Sequence, residues 1–173
     1  MRITQANPGD FEMVRSFYHS LIDGMKERKQ TITWTKDIYP APEFLRSSLD
    51  KGELYICCDG PSTAAAMVVN HDCNEGYHKI GKQTPLTDAE VLVIHALGVH
   101  PDFSGRGIGK MMVEKAIDIA KRAGVKGLRL DVLKGNDTAS RLYVRCGFEY
   151  VGSVQMYYEN TGNAEFGIYE YVI

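Results

Sequence analysis

Apolar positions recur at three- and four-residue spacing in two long stretches of the chain, and alternate or run unbroken in several short ones. Phe11, Val14, Phe17, Tyr18, Leu21, Ile22 and Met25 form one stripe, the period of an amphipathic helix. The breaker Asn7-Pro8-Gly9-Asp10 precedes this helix, with Asp10 expected as its N-cap, and the basic turn Lys26 to Lys29 ends it, as suits a helix C-terminus. A second helix is predicted from Gly107 or Ile108 to Ala123. Met112, Val113, Ala116, Ile117 and Ala120 lie on one face, Lys115, Asp118, Lys121 and Arg122 on the other, and Gly124 is its stop. Shorter helices are expected from Pro42 or Glu43 to Leu49 and from Asp137 to Cys146, the latter ended by Gly147.

The remaining patterns read as strands: Arg2 to Ala6, Glu53 to Cys58, Ala64 to His71, the apolar run opening at Val91, Leu128 to Val132, Phe148 to Tyr158, and Glu165 to Val172. Asp59-Gly60-Pro61-Ser62 and Glu159-Asn160-Thr161-Gly162-Asn163 are turn clusters that make hairpins of their flanking strands. From Val91 onward the order is strand, helix, strand, helix, which implies a right-handed parallel crossover. The expected fold is therefore a mixed α/β sheet with helices packed on its faces, in one domain spanning 1–173. Two connections carry interest. Thr31 to Pro42 holds Trp34 and Tyr39, aromatics that either line a pocket or lid the core. The polar stretch from His71 to Asp88, with Tyr77 and His78, is long for a loop in a compact domain.

A net charge of −2 over 173 residues shows no basic footprint for nucleic acid or an anionic membrane. No apolar run reaches the ~18–20 residues that span a bilayer, and Met1-Arg2-Ile3-Thr4-Gln5 turns polar too soon for a signal peptide. Cys57, Cys58, Cys73 and Cys146 contain no C-x-x-C pair, so neither a disulfide framework nor a metal site is expected. These features point to a cytoplasmic protein with reduced thiols.

The candidate chemistry centres on Val91 to Lys110. Its strand is stopped by Pro101 and Asp102, then followed by Ser104-Gly105-Arg106-Gly107-Ile108-Gly109 and a helix. Strand, glycine loop and helix together aim backbone N–H groups and a helix dipole at an anion. A phosphate loop of the G-x-x-x-x-G-K-[ST] kind does not fit, because Met111 follows Lys110 and Ser104 stands at the first glycine. A dinucleotide fingerprint does not fit either, because the glycines are spaced G-x-G-x-G. The segment instead resembles the pyrophosphate loop of the GNAT acetyltransferases, Gln/Arg-x-x-Gly-x-Gly/Ala. Gly107-Ile108-Gly109 fills the last three places, Val99-His100-Pro101 also looks like the family's, and Ser104 replaces the usual Gln or Arg.

A second stretch, Leu130 to Phe148, independently resembles the same family: a strand, then Asn136, Ala139, Leu142-Tyr143, Arg145 and Gly147-Phe148 at the family's spacing. Trp34 to Pro40 is similar to a W-x-x-x-x-Y-P feature of one branch of bacterial members. The resemblance implies a GNAT-like acyl-CoA N-acyltransferase fold and transfer of the acetyl group of acetyl-CoA to a primary amine by direct attack, without a metal. It places the pantetheine along the backbone of Leu97, Gly98 and Val99, where a bulge would free an N–H for the thioester carbonyl. It further implies that Ser104, Gly105, Arg106, Gly107, Ile108, Gly109 and Lys110 hold the pyrophosphate, that Asn136 contacts the pantetheine, and that Tyr143 protonates the departing sulfur.

The base stays open between His95, Glu90 and water. His95 shares a face with Val93, Leu97 and Val99 if strand alternation holds, and an imidazole with an ordinary pKa near ~6.5 suits the task. His100 reads as structural, and Arg145 as either a phosphate contact or plain surface. The acceptor is a small-molecule or peptide amine, and the chain is a monomer or a homodimer. Two other classes compete: a non-catalytic acyl-CoA sensor, which the presence of Tyr143 disfavours, and a nucleotide-dependent oxidoreductase, which the glycine spacing disfavours.

Overall fold

The computed structural model describes residues 1–30 and 33–173. The predicted elements are present, with shifted ends. They are β1 (Arg2–Gln5), α1 (Phe11–Glu27), α2 (Pro42–Asp50), β2 (Leu54–Asp59), β3 (Ser62–Asn70), β4 (Val91–Val99), α3 (Ile108–Ala123), β5 (Gly127–Leu133), α4 (Asp137–Arg145), β6 (Glu149–Tyr158) and β7 (Gly162–Val172). The start of the expected loop, at Thr31 and Ile32, lies outside the described residues. The strands bond in the order β1-β2-β3-β4-β5-β7-β6. β4 and β5 pair in parallel, while β1–β2, β2–β3, β5–β7 and β6–β7 are antiparallel. This is the mixed α/β sheet that the sequence predicts.

Both hairpin turns are tighter than expected. β3 begins at Ser62 and β7 at Gly162, because Gly60 and Gly162 take left-handed backbone angles (φ 61° and 64°) and reverse the chain within a few residues. Asp10 stands at the N-cap of α1, as expected, but its side chain makes no capping hydrogen bond to the helix. A short 3₁₀ turn, Pro8–Asp10, leads into the helix, and the Asp10 carboxylate accepts the Asn7 N–H at 2.8 Å instead.

The chain divides into two compact units, each with its own core. One comprises Met1–Val69 and His95–Met112, the other Asn70–Ile94 and Val113–Ile173. In the first, the α1 stripe of Phe11, Val14, Phe17, Tyr18, Leu21 and Ile22 packs with Leu45 and Leu49 of α2, Leu54 and Ile56 of β2, Ala66 and Val68 of β3, and Ala96 of β4. Burying one such aliphatic or aromatic side chain contributes about 1.5–3 kcal/mol. In the second unit Tyr77, Ile80, Val93, Met156, Phe166 and Ile168 form the corresponding core. Tyr77 and Ile80 belong to the stretch read as a polar loop. Glu75–Lys79 is a 3₁₀ turn whose entry is fixed by Asn74, the side chain of which accepts the Gly76 N–H at 2.9 Å. The segment is thus an ordered, partly buried piece of the second unit.

Candidate active site

β4 pairs with β5 as far as Val93↔Arg129 and runs on to Val99, its part from His95 belonging to the first unit. The strand is not regular. Ala96 has φ +49°, a left-handed state that costs a residue with a Cβ about 1–2 kcal/mol and that occurs at bulges. Around it burial still alternates: His95, Leu97 and Val99 are half-buried, Ala96 and Gly98 buried. The His95 ring stands edge-on to Phe44 of α2, 6.0 Å between centroids. At Gly98 a Cβ would lie 2.6 Å from Leu21 and 3.2 Å from Trp34, so glycine lets both side chains close directly onto the strand. The Trp34 ring in turn lies tilted against Tyr18 (6.0 Å) and Tyr39 (5.4 Å). Trp34 thus packs on the core, the second of its two sequence readings, at the edge of the strand that carries Leu97, Gly98 and Val99.

β4 ends in a 3₁₀ turn, Pro101–Phe103, in which the His100 side chain accepts the Asp102 N–H at 3.2 Å and pairs with Ser20 at 3.0 Å. His100 is thereby a structural residue of the turn. Ser104, Gly105, Arg106 and Gly107 follow as an exposed loop. Gly105 and Gly107 both adopt positive φ (77° and 75°), and nothing lies within 4 Å of where a Cβ would stand on either. Closing the first turn of α3, the Met111 N–H donates to the Gly107 carbonyl at 3.1 Å. The N–H groups of Ile108, Gly109 and Lys110 precede it, at the positive end of the helix dipole. An exposed loop with two glycines at positive φ, leading into a helix N-terminus, has the open backbone and the polarity that suit a pyrophosphate. Arg106 lies over Phe103 (5.0 Å) within 3.4 Å of Asp59. Its guanidinium is exposed, where such a pair contributes little.

In the second unit, Gly135 (φ 93°) turns the chain out of β5, and Asn136 caps α4 by accepting the Ala139 N–H at 3.2 Å. One carboxamide oxygen is thus committed to the helix. Tyr143, one face along the same helix, is 7% exposed and packs edge-on against Phe148 at 5.8 Å.

Of the carboxylates near these elements, Glu90 is bound by Lys126 and by the Thr87 N–H and hydroxyl at 2.9 and 3.0 Å. Lys126, then Thr87, pull its pKa down to about 2, so it is a weak proton acceptor. Asp131 is the opposite case, and the sequence reading passed over it. It lies on β5 between buried Leu130 and Val132, and burial raises its pKa above the ordinary range despite two donors. Those donors are the hydroxyls of Tyr77 (2.7 Å) and Tyr158 (2.9 Å), both on Oδ2, so neither occupies Oδ1. A half-buried carboxylate with one oxygen fixed and a raised pKa is arranged to take a proton. Behind it Arg129 and Glu170 form a buried pair at 2.9 Å. The Thr84 carbonyl accepts from Arg129 Nη2 and the Thr84 N–H donates to Glu170, each at 2.8 Å.

The structure thus places Leu97, Gly98, Val99 and residues 104–110 on one continuous strand, turn and helix start within the first unit; Asn136, Tyr143 and Asp131 belong to the second. Among the described residues no group of three or more His, Cys, Asp or Glu could hold a metal ion. Likewise, no helix among them is long and apolar enough to cross a membrane.

The chain resembles known proteins in sequence and in fold. Over 87 residues the chain is 39% identical to the N-alpha-acetyltransferase RimI of Mycobacterium tuberculosis, which covers 50% of this chain and 51% of that protein. Among the first curated relatives the chain spans from about a quarter to about half of their lengths. Solved structures share the fold at low identity. A GNAT-family acetyltransferase of Listeria monocytogenes has a TM-score of 0.75 at 21% identity, covering 99% of this chain and 94% of that one. The acetyl-CoA complex of Arabidopsis thaliana NAA60 has a TM-score of 0.70 at 19% identity, covering 99% of both. The family model described as acetyltransferase (GNAT) family matches residues 19–148, most of the chain and all of β4, the glycine turn and α4. This chain belongs to the GNAT acetyltransferase family.

Proposed function

We propose that the protein is an N-acetyltransferase that moves the acetyl group of acetyl-CoA to a primary amine of a small molecule or peptide. The observation that carries the reading is the strand, open glycine turn and helix start from Leu97 to Lys110, whose positive φ angles at Gly105 and Gly107 leave the backbone bare. In this reading residues 104–110 bind the pyrophosphate. Leu97, Gly98 and Val99 hold the pantetheine by backbone hydrogen bonds, and the Asn136 carboxamide N–H₂, its oxygen being engaged in the cap, donates to a pantetheine carbonyl. Acetyl-CoA supplies an activated acyl group and a thiol leaving group. The protein supplies position, worth several kcal/mol of barrier, a donor at the thioester oxygen from the Leu97 N–H, and proton transfer at two atoms.

The amine must lose a proton to attack. A peptide α-amine, with a pKa of about 8, makes the smaller demand, and relatives of this chain are named for such acceptors: the M. tuberculosis protein above and, at 36% identity over 69 residues, a ribosomal protein bS18 alanine N-acetyltransferase of Salmonella typhimurium. Short peptides are therefore the first acceptors to test. Asp131, ionised with Oδ2 held by two tyrosines, accepts the proton at Oδ1; His95, set against Phe44, is the alternative base from the sequence. Tyr143 gives a proton to the departing sulfur.

The pH dependence separates the two bases. Burial raises the Asp131 pKa, so activity that depends on its ionised form rises with pH through a limb above the ordinary carboxylate range. Asp131→Asn removes that limb and lowers kcat by about 10²–10⁴, the span of general base catalysis. Stability moves the other way. A carboxyl whose folded pKa lies above its unfolded one stabilises the native state at low pH, and that contribution is lost as pH rises through the folded value. Asp131→Asn, which keeps an oxygen for both tyrosines, should therefore unfold no more easily than wild type at neutral pH. Steady-state thiol release across pH, with a denaturation curve for each protein, reads both. An unchanged profile in Asp131→Asn, and its loss in His95→Gln, would assign the base to His95.

A further inference from the structure

The hydroxyl of Tyr18 is a polar atom in an apolar setting. Its side chain is 1% exposed, on the α1 stripe between Val14 and Leu21. Its ring is wedged by Phe17 at 5.2 Å and Trp34 at 6.0 Å. Phenylalanine would fill the same space with nothing to desolvate. What the hydroxyl does is donate to the Ala96 carbonyl at 2.9 Å, across 78 residues of sequence. Ala96 is the residue in mid-β4 with φ +49°, a conformation alanine keeps only where its surroundings hold it.

The Ala96–Leu97 peptide is trans, so it is a rigid plane whose C=O and N–H point in opposite directions. Holding the carbonyl towards α1 therefore turns the Leu97 N–H away from α1. We propose that Tyr18 is a positioning residue for acyl transfer: by fixing the Ala96 carbonyl it aims the Leu97 N–H at the thioester oxygen. This rests on the N-acetyltransferase reading above, in which that N–H is the donor. Tyr18 touches no reacting atom. It acts through one peptide plane, and the neighbouring Gly98, closed over by Leu21 and Trp34, leaves the strand no room to relax towards the helix.

Tyr18→Phe keeps the ring and removes the pin. Its kcat should fall about tenfold, short of the ~10²–10³ that outright loss of an oxyanion donor costs. The KM for acetyl-CoA and the calorimetric affinity for CoA should change less than about twofold. Exchange of the Leu97 amide hydrogen, read by NMR, should quicken. Glycine accepts the left-handed angle unaided, so Tyr18→Phe in an Ala96→Gly background should show most of that kcat deficit erased relative to Ala96→Gly alone. Ala96→Val, which leaves Tyr18 in place but disfavours φ +49°, should reproduce the kcat loss and serves if Tyr18→Phe does not fold.

Wild-type kcat in Tyr18→Phe or in Ala96→Val, a loss confined to the acceptor's KM, or an undiminished deficit on the glycine background each overturns the proposal. Unchanged Leu97 exchange in Tyr18→Phe overturns it whatever the activity. A wild-type protein that binds no CoA and transfers no acetyl group fails the N-acetyltransferase reading itself, and the exchange measurement then shows separately whether the hydroxyl holds this peptide.

Discussion

Tyr143→Phe is expected to bind acetyl-CoA as the wild type does and to turn it over about 10²–10⁴ times more slowly, the range of general acid catalysis. The side chain is 7% exposed on α4, its ring packed edge-on against Phe148. Phenylalanine preserves that packing, so the fold and the cofactor affinity should survive the change. On the proposed mechanism, what is lost is a proton for a sulfur that then departs as a thiolate. A thiol with a pKa near ~8.5 is a tolerable leaving group unaided at high pH and a poorer one near neutrality. The deficit of Tyr143→Phe should accordingly narrow as pH rises, and as acetyl-CoA is replaced by a thioester of a more acidic thiol. Rapid-mixing measurement of CoA release over pH, with calorimetry for binding, checks both parts. Equal turnover by mutant and wild type would leave Tyr143 a packing residue.

The second large effect concerns stability. Arg129 and Glu170 face each other on β5 and β7, are 0% and 4% exposed, and pair at 2.9 Å. Both also hold Thr84 by its main chain, so the pair fastens the end of the 72–88 segment to the sheet. Removing one partner strands a buried charge. Arg129→Met or Glu170→Leu should each destabilise the protein by about 3–5 kcal/mol, whereas the double variant should recover most of the loss, because the net worth of a buried pair over an apolar one is small. Among the described residues Arg129 Nη1 is buried without a hydrogen-bond partner, which lowers the cost of losing the guanidinium in the double variant. Urea unfolding of the three variants measures this. Additive losses in the double variant would mean that the two side chains act independently.

Much of this was legible in the chain because the informative signals are local. The stripe of α1, the glycines at 105 and 107 and the Asn136-to-Tyr143 spacing each describe a stretch that folds on itself, and in the 104–107 loop the positive φ angles fall on glycines, where they are inexpensive. The features that escaped are long-range or side-chain-specific. Asp131 alternates with Leu130 and Val132 and reads simply as a strand residue. It is half-buried because Tyr77, 54 residues away, and Tyr158, 27 away, come over it, and no spacing rule links residues so distant. The 72–88 segment reads as loop by composition, and only burial of Tyr77 and Ile80 reveals its part in the core. Ala96 is hardest of all. Nothing about alanine marks a left-handed residue, and the partner that holds it lies on the first helix. Asp10 is a smaller case: it stands at the N-cap position, yet its carboxylate accepts the Asn7 N–H rather than an N–H of the helix.

The account stands on the glycine turn at the end of β4 as a pyrophosphate cradle. Calorimetric titration of acetyl-CoA into the wild-type protein and into Gly107→Val tests it most directly, since valine tolerates φ +75° poorly and would put a branched side chain into the open loop. Saturable one-to-one binding by the wild type, weakened by about tenfold or more in Gly107→Val, a loss of at least ~1.4 kcal/mol, is the predicted result. No binding by the wild type, or equal binding by both proteins, would contradict it.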